Sequence, residues 1–313
     1  MARDQPADVR WKRFEEVAGR IEAHLAPTGA VVKLNDHLRD KKTGQLRQVD
    51  ASIRYSVGSV EILITLECRR HSDPQDVTWI EQLAKKRENI GANATIAVAS
   101  EGFFKTAGVS AAFENVYPRT LEELEAGGLD WLRFTHVDVQ EKIYSIRQIK
   151  VELWEPSLDD EIHIDDKLLL DAAKRLDLYP LFIKTNAGQR FNSYEPIRLS
   201  ELQGADWFAG KKDTDEVTQN LKWECHDQGI SVTTNHGDKP VRFIYLEFTV
   251  RIERHRIPAE NLFRYKKTEG AILEGVEFDM SAALPNQVLG LYRNAENKQF
   301  NVVLVRKDVL RSK

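Results

Sequence analysis

Between Trp11 and Ala26 the apolar residues Phe14, Val17, Ile21 and Leu25 recur at helical spacing. Pro27 and Gly29 end the run, so the pattern predicts an amphipathic helix over 11–26. A polar, basic stretch follows, Asn35 to Gly44, with the composition of a turn-rich connection. The period then shortens. Val49, Ala51, Ile53, Tyr55 and Val57 alternate with polar residues, predicting a half-buried strand over 47–57. Gly58-Ser59 has the chemistry of a hairpin turn. Val60–Leu66 is continuously apolar, as in a strand covered on both faces.

The helical period returns over 76–90, with Asp76 placed to cap its start and Gly91 its end. Ala94–Ser100 has the texture of a central parallel strand, so strand, helix and strand predict a right-handed βαβ unit. Further helices are expected over Ala107–Asn115 and Leu121–Ala126. The expected architecture of residues 1–142 is therefore an α/β domain, a mixed sheet flanked by helices. Beyond it one helix is expected near Lys167–Leu176. Strands are expected around 229–234, 241–254, 276–280, 288–292 and 300–306, with a turn at Asn235–Asp238. Residues 143–313 thus read as a second, β-rich domain.

Composition narrows the class. Hydrophobic residues make up 42% and charged residues 30%, a globular profile. No apolar run approaches the ~20 residues that span a bilayer, and Met1–Arg10 is too polar for a secretory signal. A cytoplasmic protein without a membrane partner is expected. Two distant cysteines, Cys68 and Cys225, exclude a disulfide framework and a cysteine-based zinc site. The eight histidines form no i, i+4 pair, which argues against a zinc hydrolase. The net charge of -4 and pI near 6.1 argue mildly against a nucleic-acid binder. The bases are clustered, however: Lys33, Arg39, Lys41, Lys42 and Arg47 in one segment, Arg69, Arg70, Lys85, Lys86 and Arg87 in another. Such clusters suit phosphate, or equally an ordinary solvated face.

The chemistry concentrates on two acids. Asp50 lies on the first strand of the hairpin and Glu67 at the carboxyl end of the second, so both carboxylates can face one cavity. Oxygen ligands at a sheet end are what a hard divalent cation takes, with positions left for water and phosphate. Strand-end acids are also commonly just solvated, but a carboxylate ending so apolar a strand calls for a partner or a metal. The following helix carries Gln82 and Lys86 one turn apart, and Glu81 and Lys85 likewise. The first helix offers Glu15 and Glu16.

An ordered set of segments then matters: Gln45–Asp50, Leu66-Glu67-Cys68-Arg69, Asp76–Lys86, Ile90-Gly91-Ala92, and Ala97–Phe103 with Ala107. Over roughly residues 10–140 this set resembles the catalytic domain of Mrr-type restriction endonucleases, in the PD-(D/E)xK nuclease superfamily. The resemblance implies a restriction-endonuclease-like fold and a metal-dependent endonuclease that hydrolyses DNA, in restriction or another defence role. It implies Mg²⁺, with Mn²⁺ as a substitute, held by Asp50, Glu67 and a first-helix glutamate, Glu15 or Glu16. Gln82 matches a helix position that lines the site. The family lysine two residues after Glu67 is Arg69 here. Arginine holds a phosphate oxygen but does not readily act as a base. Lys86, Lys85 or Arg69 itself is left to fill that place. The alternative is an inactive nuclease fold kept as a nucleic-acid or protein-binding module. Double-strand cleavage would favour a homodimer, and the β-rich domain would read a sequence, a modified base or an effector.

Other residues have plainer readings. Cys68 is expected to pack as a small apolar residue, and Trp79 as helix packing. Ser100-Glu101-Gly102-Phe103, with Lys105, either lines a phosphate path or belongs to the core. In the second domain Arg242, Arg251, Arg254, Arg256, Arg264, Lys266 and Lys267 interleave with Tyr245, Phe248, Phe263 and Tyr265. That suits either a nucleic-acid surface or a strand meander with an aromatic core. The acids Asp159–Glu161, Asp165 and Asp166 are expected to cap the following helix.

Overall fold

The computed structural model describes residues 7–156, 158, 183–184, 190–191, 195–210, 215–225, 229–307 and 310–311. The elements run α1 (Ala7–Leu25), β1 (Val31–Arg39), β2 (Leu46–Val57), β3 (Val60–Arg69), α2 (Val77–Ile90), β4 (Ala94–Ala99), α3 (Lys105–Phe113), β5 (Val116–Leu124) and β6 (His136–Leu153). They continue with β7 (Ile183–Lys184), β8 (Arg190–Phe191), α4 (Glu195–Leu202), β9 (Glu216–Glu224), β10 (Ser231–Thr234) and β11 (Gly237–Lys267). The last are β12 (Gly270–Asp279), β13 (Gln287–Asn294), β14 (Phe300–Arg306) and β15 (Leu310–Arg311). The protein is mixed α/β, with few helices.

Two compact units emerge, residues 1–139 with 256–313, and residues 140–255. This differs from the expected division at 142/143. The C-terminal half of β11 pairs antiparallel with β5, Tyr265 opposite Leu121, and so returns the chain to the first unit. β12, β13 and β14 then add outward from it. The proposed helix 167–176 and the acids 159–161, 165 and 166 lie outside the described residues.

In the first unit the strand order is β14-β13-β12-β11-β5-β4-β3-β2-β1-β15. β3, β4 and β5 are mutually parallel, and the other pairs are antiparallel. Alternate residues of β4 serve different cores. Ile96 and Val98 join Phe14, Val17, Ala18 and Ile21 of α1, while Ala97 and Ala99 join Trp79, Ile80, Leu83 and Ala84 of α2. So α1 covers one face of the central sheet, and α2 with α3 covers the other. Asp76 caps α2 by accepting from Trp79 N at 3.2 Å, and Gly91 closes it in the left-handed conformation at φ 73°. Gly58 turns the β2–β3 hairpin at φ 60°.

Two local expectations fail. Of the stretch Asn35–Gly44, expected as a turn-rich connection, 35–39 instead continue β1, which pairs with β2 from Val31↔Arg54 to Arg39↔Leu46, and the turn is confined to 40–44. Residues 121–124 of the expected helix over 121–126 are instead the end of β5, which pairs with β4 over 116–120 and with β11 over 120–124. Its glutamates suggest a helix, but pairing with the distant strand β11 decides the conformation.

In the second unit the N-terminal half of β11 pairs with β9, β6 and β10, and β10 with β7. Ile244, Leu246, Phe248 and Val250 of β11 pack with Ile146, Ile197, Trp207 and Val217 to form its core.

Candidate functional site

The β2–β3 register Ala51↔Leu66 sets Asp50 beside Glu67. Asp50 Oδ2 accepts the backbone N–H of Cys68 at 2.6 Å, which fixes one oxygen and leaves the other available. Lys86 comes from the third turn of α2, and its Nζ lies 2.5 Å from Glu67 Oε1. Asp76 and Gly91 set where α2 begins and ends, and its buried side Trp79–Ile80–Leu83–Ala84 fixes its rotation. Lys86 is therefore delivered to the sheet by packing rather than by its neighbours in sequence.

The electrostatics show an excess of negative charge. Burial and then Asp50 push the Glu15 carboxyl up to about 7. Burial pushes Glu67 to about 7 as well, with Asp50 adding to the shift and Lys86 opposing it. Asp50 is also raised by burial, against the Cys68 N–H and Lys86. Cys68 is buried, and burial followed by Asp50, Glu15 and Glu67 drives its thiol well above the usual range. A thiol so disfavoured as thiolate packs and does not attack. Three partly buried acids, of which Asp50 raises the other two, with Lys86 the one cation opposing the shifts of Asp50 and Glu67, form a site short of positive charge. Carboxylate oxygens are the donor type that a hard divalent cation takes, although the ligand atoms of Glu15, Asp50 and Glu67 are not all gathered within 4.8 Å of one another.

Other candidates stand apart. Gln82 is exposed on α2. Arg69 donates from Nη1 to Gln75 Oε1 at 3.1 Å and sits 4.6 Å over the Trp79 ring, which stacks on Phe103. It is not among the charges that move Asp50 or Glu67. Lys85 pairs with Glu88 at 2.9 Å, not with Glu81 as its spacing suggested. Glu16 lies 3.9 Å from Arg20. Within the basic clusters Lys33 pairs with Asp36, Arg47 with Asp40 and Arg70 with Glu123, which lowers their capacity for phosphate. Ser100 Oγ bonds the backbone of His71. With Arg70, Glu101, Glu122 and Lys266 these two line an open cleft of about 730 Å³ past the ends of β3 and β4.

One cluster escaped the sequence. In the second unit, ligand atoms of Glu141, Glu253 and His255 lie within 4.8 Å of one another, the one such trio among the described residues. His255 Nε2 is 3.3 Å from Glu141 and 4.0 Å from Glu253. Glu253 and His255 share a strand face, but only the pairing of β6 with β11 brings in Glu141.

Comparison with known proteins adds little. Neither a protein-family model nor a curated protein matches the chain. A crystal structure described as a protein of unknown function, AF1548, is similar over 34% of this chain and 55% of its own length, at 14% identity and a TM-score of 0.28. So slight a likeness carries no argument. No described helix is long and apolar enough to cross a membrane.

Proposed function

We propose that the first unit is a metal-dependent endonuclease of the restriction-endonuclease-like class, acting on DNA phosphodiesters. The observation that carries this reading is the delivery of Lys86 from α2 to Glu67, beside Asp50, at 2.5 Å. The order of acid, acid and amine resembles the PD-(D/E)xK arrangement, with the amine supplied by a helix instead of the strand. Asp50, Glu67 and Glu15 would hold Mg²⁺, or Mn²⁺ in its place. When bound, the ion supplies an acidified water and charge neutralisation at the phosphate.

The chain's own residues do the rest. Lys86 Nζ, beside Glu67, would donate hydrogen bonds to a non-bridging phosphate oxygen or to the attacking water. Burial of the site on the central strands strengthens that interaction over its value in water. Arg69 acts at a distance, bracing the start of α2 through Gln75 and Trp79. A homodimer would cut both strands, because one such centre cuts one.

The test is cleavage of plasmid and linear DNA with Mg²⁺ or Mn²⁺ by the wild type and by Asp50→Ala. Metal-dependent cutting lost in the variant supports the reading. Its absence from the wild type on every substrate, modified DNA included, favours a binding module. That second reading draws on the same ion pair, which in a module would neutralise the site permanently.

A further inference from the structure

In the second unit, Ile244, Leu246, Phe248 and Val250 of β11 point into the core. The intervening Phe243, Tyr245 and Glu247 therefore occupy the other face of the sheet. Neighbouring strands place cations beside the two rings. Lys222 of β9 is directly opposite Tyr245, 5.5 Å from its ring centre and 3.7 Å from that of Phe243. Lys150 of β6 lies 6.0 Å from the Tyr245 ring on the other side. Arg242 is 5.3 Å from Phe243. The Tyr245 hydroxyl donates to Glu152 at 3.0 Å, which fixes the ring by its edge, while only the flexible ends of Lys150 and Lys222 lie over the ring. Beside Tyr245 runs an open groove of about 300 Å³, lined by Lys150, Lys222, Glu247 and the exposed residues Gln148 and Asn220.

The geometry points to a binding face for single-stranded nucleic acid, with a base stacked on Tyr245. Each component answers one part of such a ligand. The ring takes the flat face of a base, and the amides of Gln148 and Asn220 have the donors and acceptors that pair with base edges. Lys150 and Lys222 supply charge for the phosphates on either side, while Arg242 is paired with Glu152 at 3.5 Å. A sugar without phosphates would leave the two lysines unmatched. The two rings lie 6.1 Å apart, the repeat of alternate residues on a strand, and so suit bases splayed out of helical stacking. This face belongs wholly to the second unit. The inference stands whether or not the Asp50 cluster cuts.

Fluorescence anisotropy with the full chain tests it, in EDTA so that no cleavage intervenes. The probes are labelled oligo-dT and oligo-U of about 12 nucleotides and an abasic strand of equal length. Oligo-dT or oligo-U should bind at low salt at least fivefold more tightly than the abasic strand. Tyr245→Ala should weaken binding about tenfold, while Tyr245→Phe, which keeps the ring, should bind like the wild type. Lys150→Ala combined with Lys222→Ala, at exposed positions, should lower the slope of log affinity against log salt by about 1.4. Failure of the wild type to bind either strand overturns the inference. So does equal affinity for the abasic strand, which marks a generic polyanion surface, or a salt slope unmoved by the lysine pair.

Discussion

Glu67 carries a stability penalty that a neutral isostere should remove. Its carboxyl is held at about 7 against an ordinary 4.5, chiefly by burial, and that value already includes the pull of Lys86. A folded-state value above the unfolded one means the proton is bound more tightly in the folded chain. The associated stability is complete below about pH 4.5 and is lost as pH rises through about 7. At ~1.4 kcal/mol per tenfold change in proton affinity, the loss at pH 8 is about 3 kcal/mol. In EDTA, Glu67→Gln should therefore raise the unfolding free energy by about 2–3 kcal/mol at pH 8 and change it little near pH 4.5. Urea unfolding followed by tryptophan fluorescence at the two pH values measures this. Mg²⁺ at pH 8 should stabilise the wild type more than the variant, because binding to the folded state alone adds stability. A Glu67→Gln protein no more stable than the wild type at pH 8 would refute the idea of a site short of positive charge.

Two further outcomes concern the scaffold. Arg20 donates to both oxygens of Glu277, at 2.9 and 2.7 Å, with both side chains buried, and Tyr292 and Asn261 complete the network. Arg20→Ala leaves that carboxylate buried without its cation and should cost about 3–5 kcal/mol in urea unfolding; a loss under ~1 kcal/mol would show the pair to be dispensable. Gly275→Ala would place a methyl 2.5 Å from Phe263 Cζ and 2.8 Å from Tyr292 Cδ1. The overpacking should lower stability by about 1–3 kcal/mol, and an unchanged unfolding midpoint would show that the rings yield freely.

Local signals in the sequence were followed faithfully where the interactions are local. Asp76 and Gly91 bound α2 at the expected residues, and Gly58 turns the hairpin that sets Asp50 against Glu67. The approach of α2 to the β3 end was likewise open to inference, because the connection is short. Which base would arrive was not. Lys85 and Lys86 are adjacent in sequence, and only the rotation fixed by Trp79, Ile80, Leu83 and Ala84 turns Lys86 to Glu67 and Lys85 to Glu88. β1, β5 and the return of the C-terminal strands depend on partners far along the chain, such as Tyr265 opposite Leu121. Polar and acidic positions on those strands mask the alternation that would announce them. Among the interleaved aromatics, burial sorts Phe248, Phe263 and Tyr265 into cores and leaves Tyr245 on an open face.

The central claim is that Lys86, not Arg69, completes a hydrolytic centre with Asp50 and Glu67. Plasmid cleavage in Mg²⁺ or Mn²⁺ by the wild type, Asp50→Ala, Lys86→Ala and Arg69→Ala tests it most directly. Cutting by the wild type should vanish in Asp50→Ala, fall at least a hundredfold in Lys86→Ala, on the order of one lost transition-state contact, and survive in Arg69→Ala. Cleavage that persists without Lys86 but disappears without Arg69 would contradict it.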